Sequence, residues 1–75
     1  MPTGYEWIDR YCARLGVEAP SEADRERVLA LAGVAAHASE RLAAPIACWI
    51  AGREGLPLEE AMRVARDVAA PQSEA

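Results

Sequence analysis

The residues able to do chemistry are few in this sequence. One histidine, His37, and two cysteines, Cys12 and Cys48, stand among 75 residues. A catalytic nucleophile needs a neighbouring base, and a structural zinc site needs four ligands. The spacing of these three residues matches neither arrangement, and no Gly-rich phosphate loop follows a predicted strand. We therefore expect a protein that is not an enzyme and that holds no metal or cofactor.

His37 lies in a segment that favours partner binding. With 3.6 residues per turn, one side of the predicted second helix carries four residues: Ala30, Gly33, His37 and Arg41. Small residues let another backbone approach closely, and the Arg41 guanidinium fits a carboxylate or phosphate. We predict a partner-binding site made of Gly33, His37, Arg41 and Pro45. In the structural alternative, Gly33 eases helix packing, His37 is half-buried and Arg41 pairs with a carboxylate.

The charge and hydropathy of the chain exclude two classes of partner. Twelve acidic and eight basic residues give a net charge of −4, with a pI near 4.8. Nucleic-acid binding requires a basic surface, so we expect no nucleic-acid partner. No window is apolar enough to span a membrane, and residues 1–6 lack a secretory pattern, so we expect a cytoplasmic protein.

Cysteines and tryptophans each have two interpretations. Cys12 and Cys48 fit no metal-binding or redox spacing, so buried free thiols are favoured over a disulfide or a metal role. Trp7 and Trp49 match the apolar stripes of their predicted helices, which favours core positions. The alternative is that the two tryptophans form an aromatic patch that binds a partner.

Capping patterns predict where the first two helices begin. Thr3 followed by Glu6 is a capping box, and Gly16 supplies a left-handed stop after the first helix. Ser21 caps a second helix, expected over residues 22–42. Because the middle of this helix is apolar on every side, we predict that it is largely buried.

Prolines separate two further helices. Pro45 suits the first turn of a short helix over residues 45–53, and Pro57 begins a fourth helix. Residues 71–75 have nothing to pack and are predicted to be a disordered tail. The sequence therefore predicts one domain over residues 1–70, an all-α, compact four-helix arrangement with short connections.

The predicted core depends on a limited set of large side chains, because much of the apolar content is alanine. A core of this size supplies at most about 3–5 kcal/mol, so self-association is a further hypothesis. The predicted core residues are Trp7, Ile8, Tyr11, Leu15, Val28, Leu31, Leu42, Ile46, Trp49, Ile50, Leu58, Met62 and Val68.

A series of segments runs through nearly the whole chain: Trp7-Ile8-Asp9, Cys12, Leu15-Gly16-Val17, His37, Arg41, Ala43-Ala44-Pro45 and Ala51-Gly52-Arg53. In this series the chain resembles an uncharacterised small helical domain of high-GC bacteria. That domain is found alone or appended to the nucleotidyltransferase of molybdopterin-guanine dinucleotide biosynthesis. The resemblance implies an association with molybdenum-cofactor maturation, and it makes His37, Arg41 and Pro45 the matching positions expected to meet a partner.

Three functional hypotheses follow. The first is a non-catalytic accessory or protein-interaction domain that docks on a larger protein, such as that nucleotidyltransferase. The second is a small-ligand or nucleotide-binding module in which Arg41 holds an anionic group and a tryptophan stacks on a ring. The third is a self-associating structural unit, a homodimer packed through the small-residue face of the second helix.

Overall fold

A computed structural model describes residues 2–70, and the regular secondary structure of this part of the chain is helical. The helices are α1 (Gly4–Leu15), α2 (Glu22–Ala38), α3 (Ala43–Arg53) and α4 (Leu58–Ala69). Connections of four to six residues join them, so the predicted all-α, four-helix fold with short connections is confirmed. None of these helices has the length and apolar character needed to cross a bilayer. The predicted tail, residues 71–75, lies outside the described residues.

The predicted capping chemistry is present at the first two helix starts. The Glu6 amide donates to Thr3 Oγ1 at 3.1 Å, and the Thr3 amide donates to Glu6 Oε1 at 2.8 Å. Gly16 ends α1 with a φ of 74°, in the left-handed region that favours glycine. The Asp24 amide donates to Ser21 Oγ at 3.1 Å and so caps α2. The caps at Thr3 and Ser21 therefore place the starts of α1 and α2 where the sequence predicts them.

The second helix ends four residues earlier than predicted. The Ser39 hydroxyl donates to the Ala35 carbonyl at 2.9 Å, and the Ser39 backbone has left helical geometry. A serine that bonds back to the preceding turn competes with the helical ladder. Arg41 consequently lies in a turn rather than in α2. The prediction that His37 and Arg41 are neighbours on one helix is therefore wrong.

The packed part of the molecule centres on α2. This helix packs against both α3 and α4, whereas α1 makes no comparable contact with another helix. One residue from each of the three packed helices is buried: Leu31, Ala51 and Ala61. The half-buried side chains of Cys48, Met62 and Ala65 pack against this cluster. Because half of these six residues are alanines, the contact between the three helices buries little apolar area.

Most of the predicted core lies at the surface, because the buried cluster is formed by Leu31 and two alanines rather than by the large side chains of α1, α3 and α4. Of the predicted residues, Leu31 is buried, and four are half-buried: Ile8, Val28, Leu58 and Met62. The others are exposed: Trp7, Tyr11, Leu15, Leu42, Ile46, Trp49, Ile50 and Val68. The prediction of a largely buried second helix is met only in part, since Leu31 is the one buried residue of α2.

Polar contacts from a single arginine attach α1 to α2. Arg25 Nε donates to the Pro20 carbonyl at 3.0 Å, and Arg25 Nη1 donates to the Tyr5 carbonyl at 3.5 Å. Its Nη2 pairs with Asp9, and its guanidinium lies 5.1 Å from the centre of the Tyr5 ring. The Arg25 side chain is 14% exposed, so these contacts are partly shielded from water. We call this set of contacts the Arg25 clamp.

Candidate functional site

The predicted site residues lie around the junction of α2 and α3. His37 is exposed in the last turn of α2, and Gly33 is half-buried one turn earlier on the same helix. Arg41 is exposed in the connecting turn, where its carbonyl accepts from the Ala44 amide at 3.1 Å. Pro45 is exposed in the first turn of α3, where its missing N–H costs no helical hydrogen bond. The site therefore spans a corner of the fold rather than one helix face.

Gly33 and His37 line a shallow, open depression on α2. Its volume is about 480 Å³, and it is lined by Ala30, Gly33, Val34, His37, Ala38 and Ala69. The predicted grouping of Ala30, Gly33 and His37 on one side of α2 is thus confirmed. A Cβ atom added at Gly33 would meet no other atom within 4 Å. Gly33 is therefore not required for packing within this part of the chain.

The purely structural alternative for this corner is not met. His37 is exposed rather than half-buried, and it makes no hydrogen bond to another described side chain or carbonyl. Arg41 forms no ion pair with any residue between positions 2 and 70. The partner-binding role assigned to these residues stays a prediction.

The outer face of α3 extends this corner with large apolar side chains. Trp49 is 62% exposed, and Leu42 and Ile46 are also more than half exposed. The Arg53 guanidinium lies 4.7 Å from the centre of the Trp49 ring, which is a cation–π contact. Arg53 also pairs with Glu54 at 2.9 Å. The prediction that Trp49 belongs to the core is wrong, because α3 directs its alanines and Cys48 toward α2 instead.

An apolar groove lies beside the depression on α2 and shares Val34, Ala38 and Ala69 with it. Its volume is about 460 Å³, and among its lining residues Ser39 is the one with a polar side chain. Helix α2 forms the floor, and α3 and α4 form the two walls. The lining residues are Leu31, Val34, Ala35, Ala38, Ser39, Ala43, Ala47, Ile50, Ala51, Leu56, Ala61, Val64, Ala65, Val68 and Ala69.

Helix α1 exposes a ridge of large side chains. Trp7, Tyr11 and Leu15 recur at every fourth position, and each is more than half exposed. The rings of Trp7 and Tyr11 stack with centres 5.2 Å apart and planes inclined by 15°. The core prediction for these three residues is wrong, and the alternative of a partner-binding aromatic patch formed by Trp7 and Trp49 stays a prediction. We call this row the α1 ridge.

The cysteine chemistry favours structural thiols. Cys12 and Cys48 are both free and half-buried, so the prediction of free thiols is confirmed and the expected full burial is not. Cys48 Sγ donates to the Val28 carbonyl at 3.7 Å, and burial raises the pKa of this thiol. A raised pKa lowers the thiolate fraction and hence the nucleophilicity. Across residues 2–70, no three His, Cys, Asp or Glu side chains gather in a potential metal site.

Sequence reasoning missed the apolar groove and the Arg25 clamp. The groove exists because Ala35, Ala47 and Ala65 line it with small side chains. These alanines are visible in the sequence, but they indicate a groove only when it is known which faces of the three helices contact each other. For the clamp no local signal exists, since Asp9 and Arg25 are separated by 16 residues.

Comparison with curated proteins and with solved structures finds no match to this chain. A family model described as a domain of unknown function, DUF6457, matches residues 1–74. The matched range includes all four helices, the α2–α3 junction, the apolar groove and the α1 ridge. The resemblance to an uncharacterised small domain is confirmed to this extent: the chain belongs to the DUF6457 family.

Proposed function

We propose that this domain is a non-catalytic accessory module that binds a larger protein through the α2–α3 corner. The corner is defined by His37, Arg41, Leu42, Pro45, Ile46 and Trp49. The observation that carries the proposal is the exposure of Trp49, together with Leu42 and Ile46, on one surface of the described chain. Tryptophan and arginine are the residues that most often dominate interface energies.

The corner has the composition of a small interface. Its centre is apolar, and His37, Arg41 and Arg53 supply a polar rim. The apolar surface of an exposed tryptophan is removed from water only when another molecule covers it. The exposure of Trp49 therefore favours contact with a partner. Arg41 offers a planar fork for a carboxylate of the partner.

The partner we propose is the nucleotidyltransferase of molybdopterin-guanine dinucleotide biosynthesis in high-GC bacteria. Support for this choice comes from the sequence resemblance, in which His37, Arg41 and Pro45 are among the matching positions. An accessory role in molybdenum-cofactor maturation follows, with no reaction carried out by the domain itself. We propose a cytoplasmic location, which suits a chain whose two cysteines are free thiols.

Titration calorimetry with the purified nucleotidyltransferase tests this proposal. We expect the wild-type domain to bind and the Trp49→Ala and Arg41→Ala variants to bind roughly 10- to 100-fold more weakly. Arg66→Ala is the matched control, because Arg66 is an exposed arginine on α4 and is not one of the residues that define the corner. Unaltered circular dichroism would show that the variants remain folded. Absence of wild-type binding would contradict the partner, and equal binding by all variants would contradict the site.

The ligand-binding hypothesis has less support from the described surface. Neither the depression on α2 nor the apolar groove is lined by Arg41 or by a tryptophan. If Arg41 held the phosphate of a nucleotide, the base would have to stack on a tryptophan that lines neither the depression on α2 nor the apolar groove. We expect guanine nucleotides to leave the intrinsic tryptophan fluorescence unchanged, and a saturable change would favour ligand binding over protein binding.

A further inference from the structure

The apolar groove has the form of a four-helix bundle that lacks one helix. Helix α2 is its floor and α3 and α4 are its walls, and α1 does not fill it. A groove of this kind buries its apolar lining when an amphipathic helix lies along it. We propose that α1 of a second copy of this chain packs its ridge into the groove, and that the two copies do so reciprocally.

The α1 ridge and the groove match in length. From Trp7 to Leu15 the ridge rises roughly 12 Å along the helix axis. The floor of the groove, from Leu31 to Ala38, covers seven residue steps of α2 and thus roughly 10 Å. The volume of the groove, about 460 Å³, leaves room for a row of side chains. In the proposed contact the side chains of the α1 ridge enter the groove, and the backbone of the incoming α1 lies above it.

The Arg25 clamp directs α1 away from the groove of its own chain. Arg25 is in the first turn of α2, whereas the middle of the groove floor is at Ala35. Ten residue steps separate them, which is about 15 Å along the helix axis. Folding α1 back into its own groove would require breaking the contacts to Asp9 and Tyr5. A second copy fills the groove while both clamps stay intact.

The exposed area of the single chain is large enough to form a dimer. Its accessible surface is 6111 Å², whereas a folded monomer of 8.1 kDa is expected to expose about 4,500 Å². The radius of gyration, 14.2 Å, also exceeds the roughly 11 Å expected for 75 residues. Among the described residues, the exposed large side chains include Trp7, Tyr11 and Leu15 of the ridge and Ile50, Val64 and Val68 of the groove, and each partner buries about 800 Å² in a standard interface.

The charges beside the two surfaces are complementary. Arg10 and Arg14 flank the α1 ridge and form no ion pair within the described range. On α4, Glu60 and Asp67 lie one turn either side of Val64, which lines the groove. Arg63 is shared between these two carboxylates at 3.8 and 3.6 Å, so this edge keeps a net negative charge. Basic residues of an incoming α1 meet that edge.

This contact uses surfaces other than the α2–α3 corner, so it stands or fails independently of the proposed partner. Trp49 and Arg41 do not line the groove, and they remain exposed when the groove is filled. Loss of dimerisation with retained binding to the nucleotidyltransferase, or the reverse, separates the two proposals.

Sedimentation equilibrium of the full chain, with variants on each surface, tests the inference. Trp7→Glu places a charge on the ridge, and Val68→Glu places one on the groove wall, at a side chain that is 74% exposed in the single chain. We expect a wild-type dimer and, for each variant, a dissociation constant raised on the order of 1,000-fold, because each substitution acts at two symmetric contacts. Leu29→Glu, at an exposed apolar position of α2 outside the groove, is expected to leave the dimer unchanged.

Mixing the two monomeric variants identifies which surfaces meet. The Val68→Glu chain keeps an intact ridge and the Trp7→Glu chain keeps an intact groove, so a mixed dimer has one intact contact and carries both substitutions at the other. Because a second substitution at a contact that is already lost costs little, the mixture is expected to associate more tightly than either variant alone. Recovery of dimer in the mixture, with folded variants by circular dichroism, supports ridge-in-groove packing. A wild-type monomer, a dimer that survives both substitutions, or variants that stay monomeric when mixed would each overturn the proposal.

Discussion

Helix α1 and the α2–α4 unit are held in the molecule by different forces. Both begin with a side-chain cap, Thr3 for α1 and Ser21 for α2. The α2–α4 unit is joined by apolar contacts around Leu31, while α1 is attached through the guanidinium of Arg25. Side-chain caps therefore begin one helix in each region, and the buried apolar cluster of the described residues lies between α2, α3 and α4.

The difference shows where binding energy remains available. Apolar area that is buried inside the chain contributes to folding, and apolar area left exposed contributes only when another molecule covers it. In α2 and α4 the small residues that allow close packing also leave the groove open. In α1 the large residues of the ridge stay in water. The substitutions below separate the two regions.

The largest effect is expected from Leu31→Ala in the packed unit. Leu31 is 3% exposed and is the one large side chain fully inside the cluster, so its truncation costs about 2–5 kcal/mol. Since a core of this size supplies at most about 3–5 kcal/mol, we expect loss of cooperative thermal unfolding. Leu29→Ala, on the exposed side of the same helix, is the control and is expected to unfold as the wild type does.

A smaller and local effect is expected from Arg25→Ala. The substitution removes the contacts to Pro20, Tyr5 and Asp9 at once. Because the Asp9 side chain is 56% exposed, solvent screening leaves an expected total of about 1–2 kcal/mol. We expect the backbone amides of α1 to exchange faster while the urea midpoint of the α2–α4 unit is unchanged. A single loss of stability shared by all four helices would contradict the separation.

The Cys48 thiol makes the stability of the packed unit depend on pH. Burial raises the pKa of the Cys48 thiol above its unfolded value, so the folded state favours the protonated form. The resulting stability is present below the unfolded pKa of about 8.5 and is lost as pH rises through the folded value. We expect the urea midpoint of Cys12→Ser to fall between pH 7 and pH 9.5 by more than that of the Cys12→Ser, Cys48→Ser double variant. Equal falls would show that Cys48 does not contribute.

The smallest effect is expected from Arg27→Ala, the counterpart of Arg25→Ala two residues along α2. Arg27 lies 3.9 Å from both Asp24 and Glu59, and its side chain is half exposed. Exposed pairs of this kind contribute about 0–1 kcal/mol. We expect a shift in the urea midpoint close to the error of the measurement. A loss comparable to that of Arg25→Ala would mean that the α2–α4 contact is also polar in origin.

Helix positions were predictable from sequence, and helix contacts were not. Thr3, Ser21 and Gly16 act on neighbouring residues, so their types and spacing are sufficient to place helix ends. The end of α2 was missed because Ser39 bonds back to Ala35, which competes with the helix in a way that composition does not show.

The candidate site was predictable in part for the same reason. Gly33 and His37 share a face because they are one turn apart on one helix, and this follows from helical periodicity alone. Trp7 and Trp49 match apolar stripes, and a stripe does not reveal whether its own chain or another covers it. The groove depends on three helices that meet through alanines, and no spacing within one helix predicts that meeting.

Hydrogen exchange of the α1 amides, measured in dilute and in concentrated protein, tests the central claim that α1 is completed by another copy. We predict that α1 exchanges much faster than α2 in dilute protein and that its protection rises with concentration. In the Val68→Glu variant this rise is expected to vanish while α2 remains protected. Protection of α1 that equals that of α2 in the dilute monomer, with no dependence on concentration, would contradict the account.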